Sequence, residues 1–311
     1  MKTILKKWII ICTIVLFTIC LASFGYVYYI YYQVVDTFEQ IYEPIHPNTV
    51  SGRSNFPFNK EMLYAEKAHQ QNQTPIRILI IGIDEREGDY GRSDVLIFTS
   101  IHPSDQSIRM FNIPRDTRVK IIGKDFEDKI NHAYAYGSTN TTIKTVEAFL
   151  ETPIDYYIKI NMEGFYQLID SLEGITINNE LEWEDEDYVF KKGDITLDGK
   201  QALRYVRMRY LDPKGDLGRN DRQKKVIKAM AVKMVSFSSI TKMNEILRTV
   251  GNNLTTNITQ QDMTFLYMNF KDYRNNILTT QVDGKSQYIN DIYYYIVSEQ
   301  ERITLHQFIN N

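Results

Sequence analysis

The sequence contains little cysteine: Cys12 and Cys20 are the only two among 311 residues, and both lie near the N-terminus. The rest of the chain therefore cannot form an internal disulfide, and its stability must come from a hydrophobic core. An apolar fraction of 43% is sufficient for such a core. The sequence also lacks an internal repeat with a period of about 20–50 residues, which excludes solenoids and propellers.

An excess of positive charge is also absent, since 36 basic and 39 acidic residues give a net charge of −3. The first 32 residues hold three of the lysines and no acidic residue. The remainder therefore carries 33 basic against 39 acidic residues, a net charge of −6. A domain with this charge is a poor general binder of nucleic acids, so we expect no nucleic-acid partner.

Charge is missing entirely between Trp8 and Tyr32, after three lysines at positions 2, 6 and 7. The run is long enough to cross a bilayer, and the leading lysines favour a cytoplasmic N-terminus. Residues 1–32 are predicted to be the cytoplasmic tip and transmembrane signal-anchor of a single-pass cell-membrane protein with an extracellular C-terminal domain. A cleaved signal peptide is the alternative, but no clear A-x-A site follows the run.

Residues 33–75 are predicted to form a juxtamembrane segment and linker, because prolines and the polar tract HQQNQT break any long helix there. Residues 76–311 are assigned to one compact domain. Apolar runs predict strands at 77–83, 94–101, 108–114 and 154–160, and amphipathic patterns predict helices at 139–151, 161–174 and 298–308. This alternation predicts an α/β fold in which helices cover a mixed central sheet, an α-β-α sandwich.

Arginine is concentrated in the stretch RYVRMRYLDPKGDLGRNDRQKK, residues 204–225. Asp198 is placed to cap a helix over 199–206, and a second helix is predicted from about Gly218. Arg219 and Gln223 are four residues apart on that second helix and share a face. If the segment RMR is extended, Arg207 and Arg209 point to the same side.

Such a set of donors suits an anionic ligand with many oxygens. Guanidinium groups grip phosphate bidentately, and a helix N-terminus adds free N–H groups, so a pyrophosphate fits better than a carboxylate. The alternative is a solvated basic face that pairs with the acidic run ELEWEDEDYVF, residues 180–190, which is predicted to be a solvated loop.

Two aspartates lie upstream at predicted strand ends: Asp84 ends the first strand and Asp94 begins the second. Arg92 lies beside them, and Arg115 follows the third strand. Two carboxylates with few other protein ligands suit Mg²⁺, which retains waters and shares phosphate oxygens. For either aspartate alone, ordinary turn chemistry is the preferred interpretation.

Three segments together resemble the LytR-CpsA-Psr family: GIDEREGDYGRSD, NIPRDT and ALRYVRMRYLDPKGDLGRNDRQK. The resemblance covers about Arg77 to Ser236, and the single N-terminal anchor agrees with it. It implies a membrane-anchored phosphotransferase that moves a glycopolymer, a teichoic acid or similar, from an undecaprenyl-pyrophosphate carrier to peptidoglycan. The expected partners are therefore the polyprenyl-pyrophosphate-linked glycopolymer, peptidoglycan and the membrane.

The resemblance also implies roles for individual residues. Asp84 and Asp94 would hold Mg²⁺, with Mn²⁺ as an alternative, and Asp216 would be the base. The pyrophosphate would be held by Arg92, Arg115, Arg207, Arg209, Arg219 and Gln223, of which Arg115 and Arg219 would also assist the chemistry. Arg222 is given only a supporting role.

Other interpretations stay open from the sequence. One is a non-catalytic regulator that binds wall polymers or the carrier lipid. A second is a transcriptional attenuator, against which the negative charge and the missing DNA-reading motif count. A third is a lipid pyrophosphatase, in which water replaces the sugar hydroxyl. The apolar residues over 143–172 are assigned either to a lipid tunnel or to an ordinary core.

Overall fold

The computed structural model describes residues 2–45, 74–84, 91–185, 188–234 and 253–310, with the single positions 246, 249 and 251. Most of the predicted linker over 33–75 lies outside these residues, as does the loop 85–90 of the first motif. The first element is helix α1, Lys2–Ile41, which includes the uncharged run.

A mixed six-stranded sheet forms the centre of the domain. Its strands are β1 (Ile76–Asp84), β2 (Arg92–His102), β3 (Ser107–Asn112), β6 (Tyr156–Asn161), β11 (Leu254–Thr256) and β12 (Ile277–Thr279). They lie in the order β11-β6-β1-β2-β3-β12. The pairs β1–β2, β2–β3 and β6–β11 are antiparallel, whereas β1–β6 and β3–β12 are parallel.

Helices cover both faces of this sheet. They are α2 (His132–Leu150), α3 (Met162–Ser171), α4 (Gly199–Arg207), α5 (Asp216–Met234), α6 (Gln260–Phe270) and α7 (Glu299–Asn310), and a short 3₁₀ helix spans Lys271–Asn275. Short hairpins are added around this framework: β4 (Arg118–Lys120) with β5 (Glu127–Lys129), β7 (Ile175–Asn179) with β10 (Gly193–Leu197), β8 (Trp183–Asp185) with β9 (Tyr188–Phe190), and β13 (Lys285–Ile289) with β14 (Ile292–Ile296). The predicted mixed sheet flanked by helices is confirmed.

Alternate residues of β1 face two different environments, as the period of a strand requires. Leu79, Ile81 and Ile83 are buried in the main core with residues of α2 and α7. Ile80 and Gly82, on the opposite face, border a cavity under α3, α4 and α5. The central strand therefore packs the main core with one side and forms the wall of a cavity with the other.

The helices over the cavity have a core of their own. Leu168 of α3, Tyr205 of α4 and Val226 of α5 are buried together there. The predicted solvated loop over 180–190 is wrong, because Trp183 and Phe190 are buried in this second core and stack at 3.9 Å. This local core holds the three helices together.

Local sequence signals placed several helix boundaries correctly. Asp198 caps α4 by accepting a hydrogen bond from the Gln201 backbone amide, at 2.8 Å. The helix predicted from residue 139 begins earlier, at His132, because a short helical segment before a kink is continuous with it. At that kink Ser138 has φ 60°.

The end of α1 is attached to one edge of the sheet. Tyr42 forms a bridge with Thr256 of β11, and the Glu43 amide donates to the Thr256 carbonyl at 2.9 Å. The Tyr157 hydroxyl donates to the Glu43 carbonyl at 2.8 Å.

Among the residues that the structure describes, no helix reaches the combination of length and apolar character needed to cross a membrane.

His102 is a buried titratable group in the sheet, 1% exposed, with Nε2 at 2.8 Å from the Ser100 hydroxyl. Burial and the nearby Arg109 lower its pKa from 6.5 to about 4. The folded state therefore keeps it neutral, and its contribution to stability is complete above pH 6.5 and lost as the pH falls through 4.

We expect the free energy of unfolding of the full chain to decrease by on the order of 3 kcal/mol from this group alone as the pH drops from 6.5 to below 4. In His102→Gln, which keeps a polar group near Ser100 but cannot titrate, that part of the decrease should disappear. Urea unfolding followed by tryptophan fluorescence at several pH values measures both proteins. Parallel pH dependences for the two would show that His102 is not responsible.

Candidate active site

A cavity of about 220 Å³ lies between the sheet and helices α3, α4 and α5. Six of the residues singled out from the sequence line it: Asp84, Asp94, Arg115, Arg207, Arg219 and Gln223. They come from two parts of the chain more than 90 residues apart at their nearest. The fold therefore brings the acidic and the basic motifs to one place.

The two aspartates reach the cavity from the β1–β2 hairpin. The pairing of these strands shifts between Gly82 and Asp84, where Asp84 comes opposite Arg92. Gly82 lies against Val95, so that a Cβ at this position would come within 2.9 Å of the Val95 Cβ. The close approach of the two strands at this point depends on glycine.

Asp94 is held by two groups of the protein. Its Oδ2 lies 3.2 Å from Nη1 of Arg115, and its Oδ1 accepts from Nδ2 of Asn131 at 3.1 Å. Arg115 also lies near Asp116, at 3.7 Å, and Asp116 pairs with Lys129 at 2.7 Å. The carboxylate at the cavity is thus fixed in place before any ligand arrives.

The cationic side of the cavity comes from the end of α4 and the beginning of α5. Arg207 is the last residue of α4 and is exposed, with its side chain in the cavity wall. The chain turns away at Met208, which is buried and has φ −56° and ψ 134°. The condition that RMR is extended is not met at Arg207, because that residue is helical.

Arg209 does not line the cavity. Its guanidinium lies 4.7 Å from the ring centroid of Tyr210, and its Nη2 donates to the Tyr210 hydroxyl at 3.2 Å. Arg92, the first residue of β2, is exposed and is also absent from the cavity wall. These two predicted pyrophosphate ligands are therefore separated from the other four.

Arg219 and Gln223 line the cavity from one face of α5, as their spacing predicts, and both are buried. Gln223 Oε1 accepts from Nδ2 of Asn112 at 2.6 Å. Asn112 is buried at the end of β3, and its Oδ1 has no hydrogen-bond partner among the described residues. Sequence reasoning missed Asn112 and Asn131, because a hydrogen bond between distant segments leaves no local pattern.

Arg222 does not face the cavity; it ties the two helices together. Its guanidinium donates to the Tyr205 carbonyl at 3.0 Å, to the Met208 carbonyl and to Asp212. Asp212 in turn packs on Gly218, where any Cβ would overlap the carboxylate. The supporting role expected of Arg222 is thus a structural one, at the junction of α4 and α5.

Asp216 is the first residue of α5. The side chain of this expected base lies outside the part of the chain that the structure describes.

Apolar side chains form the remainder of the wall. From the 143–172 region, Ile160, Met162 and Phe165 line the cavity, whereas Ile143 and Phe149 belong to the main core. This region therefore contributes some residues to the cavity wall and others to an ordinary core. At ~30 Å³ per water, the cavity has the volume of roughly seven water molecules, enough for a compact polar group and a short apolar segment.

The donor set agrees with a magnesium ion. Mg²⁺ is usually bound by one or two carboxylates, with waters and substrate phosphates completing the shell. Asp84 and Asp94 would supply those carboxylates. No group of three or more histidine, cysteine, aspartate or glutamate side chains suited to a metal occurs among the described residues.

Comparisons with known proteins agree with the motifs. The model of the LytR_cpsA_psr family matches residues 28–308. The polyisoprenyl-teichoic acid--peptidoglycan teichoic acid transferase TagU of Bacillus subtilis (strain 168) is 41% identical over 279 residues, which is 90% of this chain and 87% of that protein.

Solved structures show the same fold. The crystal structure of B. subtilis TagU matches with a TM-score of 0.62 and 40% identity, covering 75% of this chain and 94% of that chain. TagT bound to LI-WTA matches with a TM-score of 0.67 and 26% identity, covering 86% of this chain and 98% of that chain.

The contrast between Arg222 and Arg207 gives a prediction. Arg222→Ala should lower the free energy of unfolding by about 3–5 kcal/mol, because Asp212 and two carbonyl groups lose a buried partner. Arg207→Ala should leave stability within about 0.5 kcal/mol, since Arg207 is exposed. Urea unfolding of the full chain, with Lys228→Ala on the same helix as a matched surface control, measures both. Equal effects of the two arginine variants would contradict the assignment.

Proposed function

Because the chain belongs to the LytR_cpsA_psr family, we propose that it is a transferase that moves a teichoic-acid-type glycopolymer from a polyisoprenyl-pyrophosphate carrier to peptidoglycan. The observation that carries this proposal is the cavity in which two carboxylates face a cationic wall, with an apolar surface continuing from it. A pyrophosphate joined to a lipid has this same combination of a charged group and an apolar tail.

The proposed reaction is a displacement at phosphorus. A hydroxyl oxygen of the acceptor sugar bonds to the phosphorus nearer the glycopolymer, and the bond from that phosphorus to the bridging oxygen breaks. Polyprenyl phosphate leaves with that oxygen. Negative charge spreads over the phosphoryl oxygens, so that positioning and cationic stabilisation provide most of the catalysis.

Arg115, Arg207 and Arg219 are proposed to hold the pyrophosphate oxygens, and Gln223 to donate from its amide. The hydrogen bond from Asn112 to Gln223 Oε1 orients that amide, so its NH₂ group is the part available to a ligand. Arg92 and Arg209, outside the cavity wall, are proposed to contact the more distant parts of the carrier or glycopolymer. The apolar residues Phe165 and Leu203 would contact the first part of the lipid tail.

Mg²⁺ is the proposed cofactor, held by Asp84 and Asp94. When bound it would offset the charge of the diphosphate. The ion pair between Asp94 and Arg115 places the Arg115 guanidinium beside one of the two carboxylates that would hold the ion. Asp216 is proposed to accept the proton of the attacking hydroxyl. The proton therefore ends on the Asp216 carboxylate, and polyprenyl phosphate departs as an anion.

The uncharged part of α1 is proposed to be the membrane anchor, with the rest of the chain outside the cytoplasmic membrane. Support comes from the sequence of the run and from the exposed apolar side chains along the helix, such as Leu16, Phe17 and Phe24, which are 63%, 63% and 75% exposed. Such a surface is unfavourable in water and favourable in lipid.

Variants of the three aspartates test the reaction. Asp84→Ala and Asp94→Ala should each abolish Mg²⁺-dependent transfer, because the loss of either carboxylate leaves the diphosphate charge uncompensated. Asp216→Asn should still bind the carrier while transfer slows by ~10²-fold or more, because the amide cannot take the proton. The assay uses the full chain in detergent with a lipid-linked glycan, Mg²⁺ and a peptidoglycan fragment.

Two outcomes would change the proposal. Wild-type protein that binds the carrier tightly but forms no product with any acceptor would favour the regulator. Full activity in Asp216→Asn would retain the enzyme but remove that base.

The topology has a direct test. An epitope at the C-terminus should be digested when protease is added outside intact protoplasts, because the three leading lysines favour a cytoplasmic N-terminus. An epitope at the N-terminus is the matched control and should be protected. Protection of the C-terminal epitope would overturn the proposed orientation.

A further inference from the structure

Next to the cavity lies an exposed aromatic surface, which we call the aromatic shelf. It consists of the exposed or partly exposed rings of Phe126, Tyr136, Tyr288 and Tyr293, contributed by the β4–β5 hairpin, the first turns of α2 and the β13–β14 hairpin, together with the buried ring of Tyr294. Phe126, Tyr136 and Tyr288 are 44%, 39% and 73% exposed. Exposed rings gathered from three separate elements are characteristic of a binding surface.

Contacts between the elements fix the orientation of these rings. Phe126 and Tyr136 meet edge to face at 5.2 Å, and Tyr288 and Tyr293 do so at 5.7 Å. The hairpin β13–β14 is attached by a bridge between Tyr295 and Thr117, the residue that precedes β4. A rigid set of rings of this kind loses little conformational entropy when a ligand binds.

Polar groups lie between the rings. The Asp128 carboxylate accepts from the hydroxyls of Tyr136 and Tyr294, at 2.8 and 3.4 Å, and lies 2.9 Å from His132 Nδ1. Burial opposes its ionisation, but the hydrogen bonds from His132 and Tyr136 outweigh burial and lower its pKa. Lys129 Nζ lies 5.8 Å from the centroid of the Tyr293 ring. The shelf therefore combines apolar ring faces with a charged, hydrogen-bonding rim.

The shelf is continuous with the proposed reaction centre. Lys129 pairs with Asp116 at 2.7 Å, and Asp116 lies 3.7 Å from Arg115 in the cavity wall. Asn131, which holds Asp94, immediately precedes His132. A ligand on the shelf would therefore extend toward the side of the cavity that holds Asp94 and Arg115.

The position of the shelf argues against a lipid surface as its partner. Helix α1 joins the sheet at the edge strand β11, whereas the shelf is attached at Thr117, in the segment that leads from β3 to β4, and β3 lies toward the opposite edge of the sheet.

We propose that the aromatic shelf binds the glycan strand of the peptidoglycan acceptor and presents its hydroxyl to the cavity. A pyranose ring has an apolar face, which packs on an aromatic ring, and a rim of hydroxyls, which bonds to groups such as Asp128 and His132. This inference rests on the proposed transferase function, because it assigns the acceptor of that reaction.

The test uses the full chain in detergent, a lipid-linked glycan as donor and an uncrosslinked peptidoglycan glycan fragment as acceptor. In Tyr136→Ala and in Phe126→Ala the KM for the acceptor should rise about tenfold, the effect expected from losing one ring contact. The affinity for the donor and the rate at saturating acceptor should not change. Tyr136→Phe should retain most of the acceptor affinity because it keeps the ring.

Tyr267→Ala is the matched control, since Tyr267 is a tyrosine of similar exposure, 42%, on α6 and away from the shelf. Its acceptor KM should equal that of the wild type. If the shelf variants behave like Tyr267→Ala while the wild type transfers normally, the shelf proposal fails and the transferase stands. If the wild type transfers nothing to any acceptor, the transferase proposal itself fails.

A third measurement separates the glycan from a membrane. Binding of the full chain, solubilised in detergent, to insoluble peptidoglycan should weaken in Tyr136→Ala, and its incorporation into phospholipid vesicles should not. A change in vesicle incorporation alone would assign the shelf to lipid and overturn the proposal.

Discussion

The cationic side of the cavity depends on one buried guanidinium. Arg222 spans the end of α4 and the first turns of α5, and its donors are shared among two carbonyl oxygens and Asp212. Arg207 precedes this junction and Arg219 follows the turn. An arginine that never faces the cavity thus sets the separation of two that do. Because arginine carries a permanent charge and a planar set of donors, few other side chains could make this junction.

The opposite side of the cavity is organised by the ion pair between Asp94 and Arg115. Asp94 and Arg115 lie 3.2 Å apart and are both partly exposed. An incoming phosphate would bind Arg115, and a divalent cation would bind Asp94. Each member of the ion pair would therefore gain a new partner of opposite charge when the pair separates. The main core packs against the other face of β1 and would hold the strand in place during such an exchange.

The parts of the fold that were predictable are those with local signals. The helix cap at Asp198 is a contact between residues three apart, and the apolar run of β1 is continuous. Three-residue strands such as β4 and β8 have no detectable period and were not predicted. For the site, the resemblance of three motifs to a known family brought together six residues that share a wall. It failed to separate Arg209 from Arg207, because the turn at Met208 depends on burial in the second core.

The attachment of α1 to the edge of the sheet has a consequence for where the protein can work. Nine residues, all of them in α1, lie between the end of the uncharged run at Tyr32 and the bridge at Tyr42. At ~1.5 Å per residue, the ten steps from Tyr32 to Tyr42 form a rigid spacer of about 15 Å. With the proposed anchor in the bilayer, the edge strand β11 would be held at a nearly constant height above the lipid. Only glycan strands in the innermost layer of the wall would pass within reach.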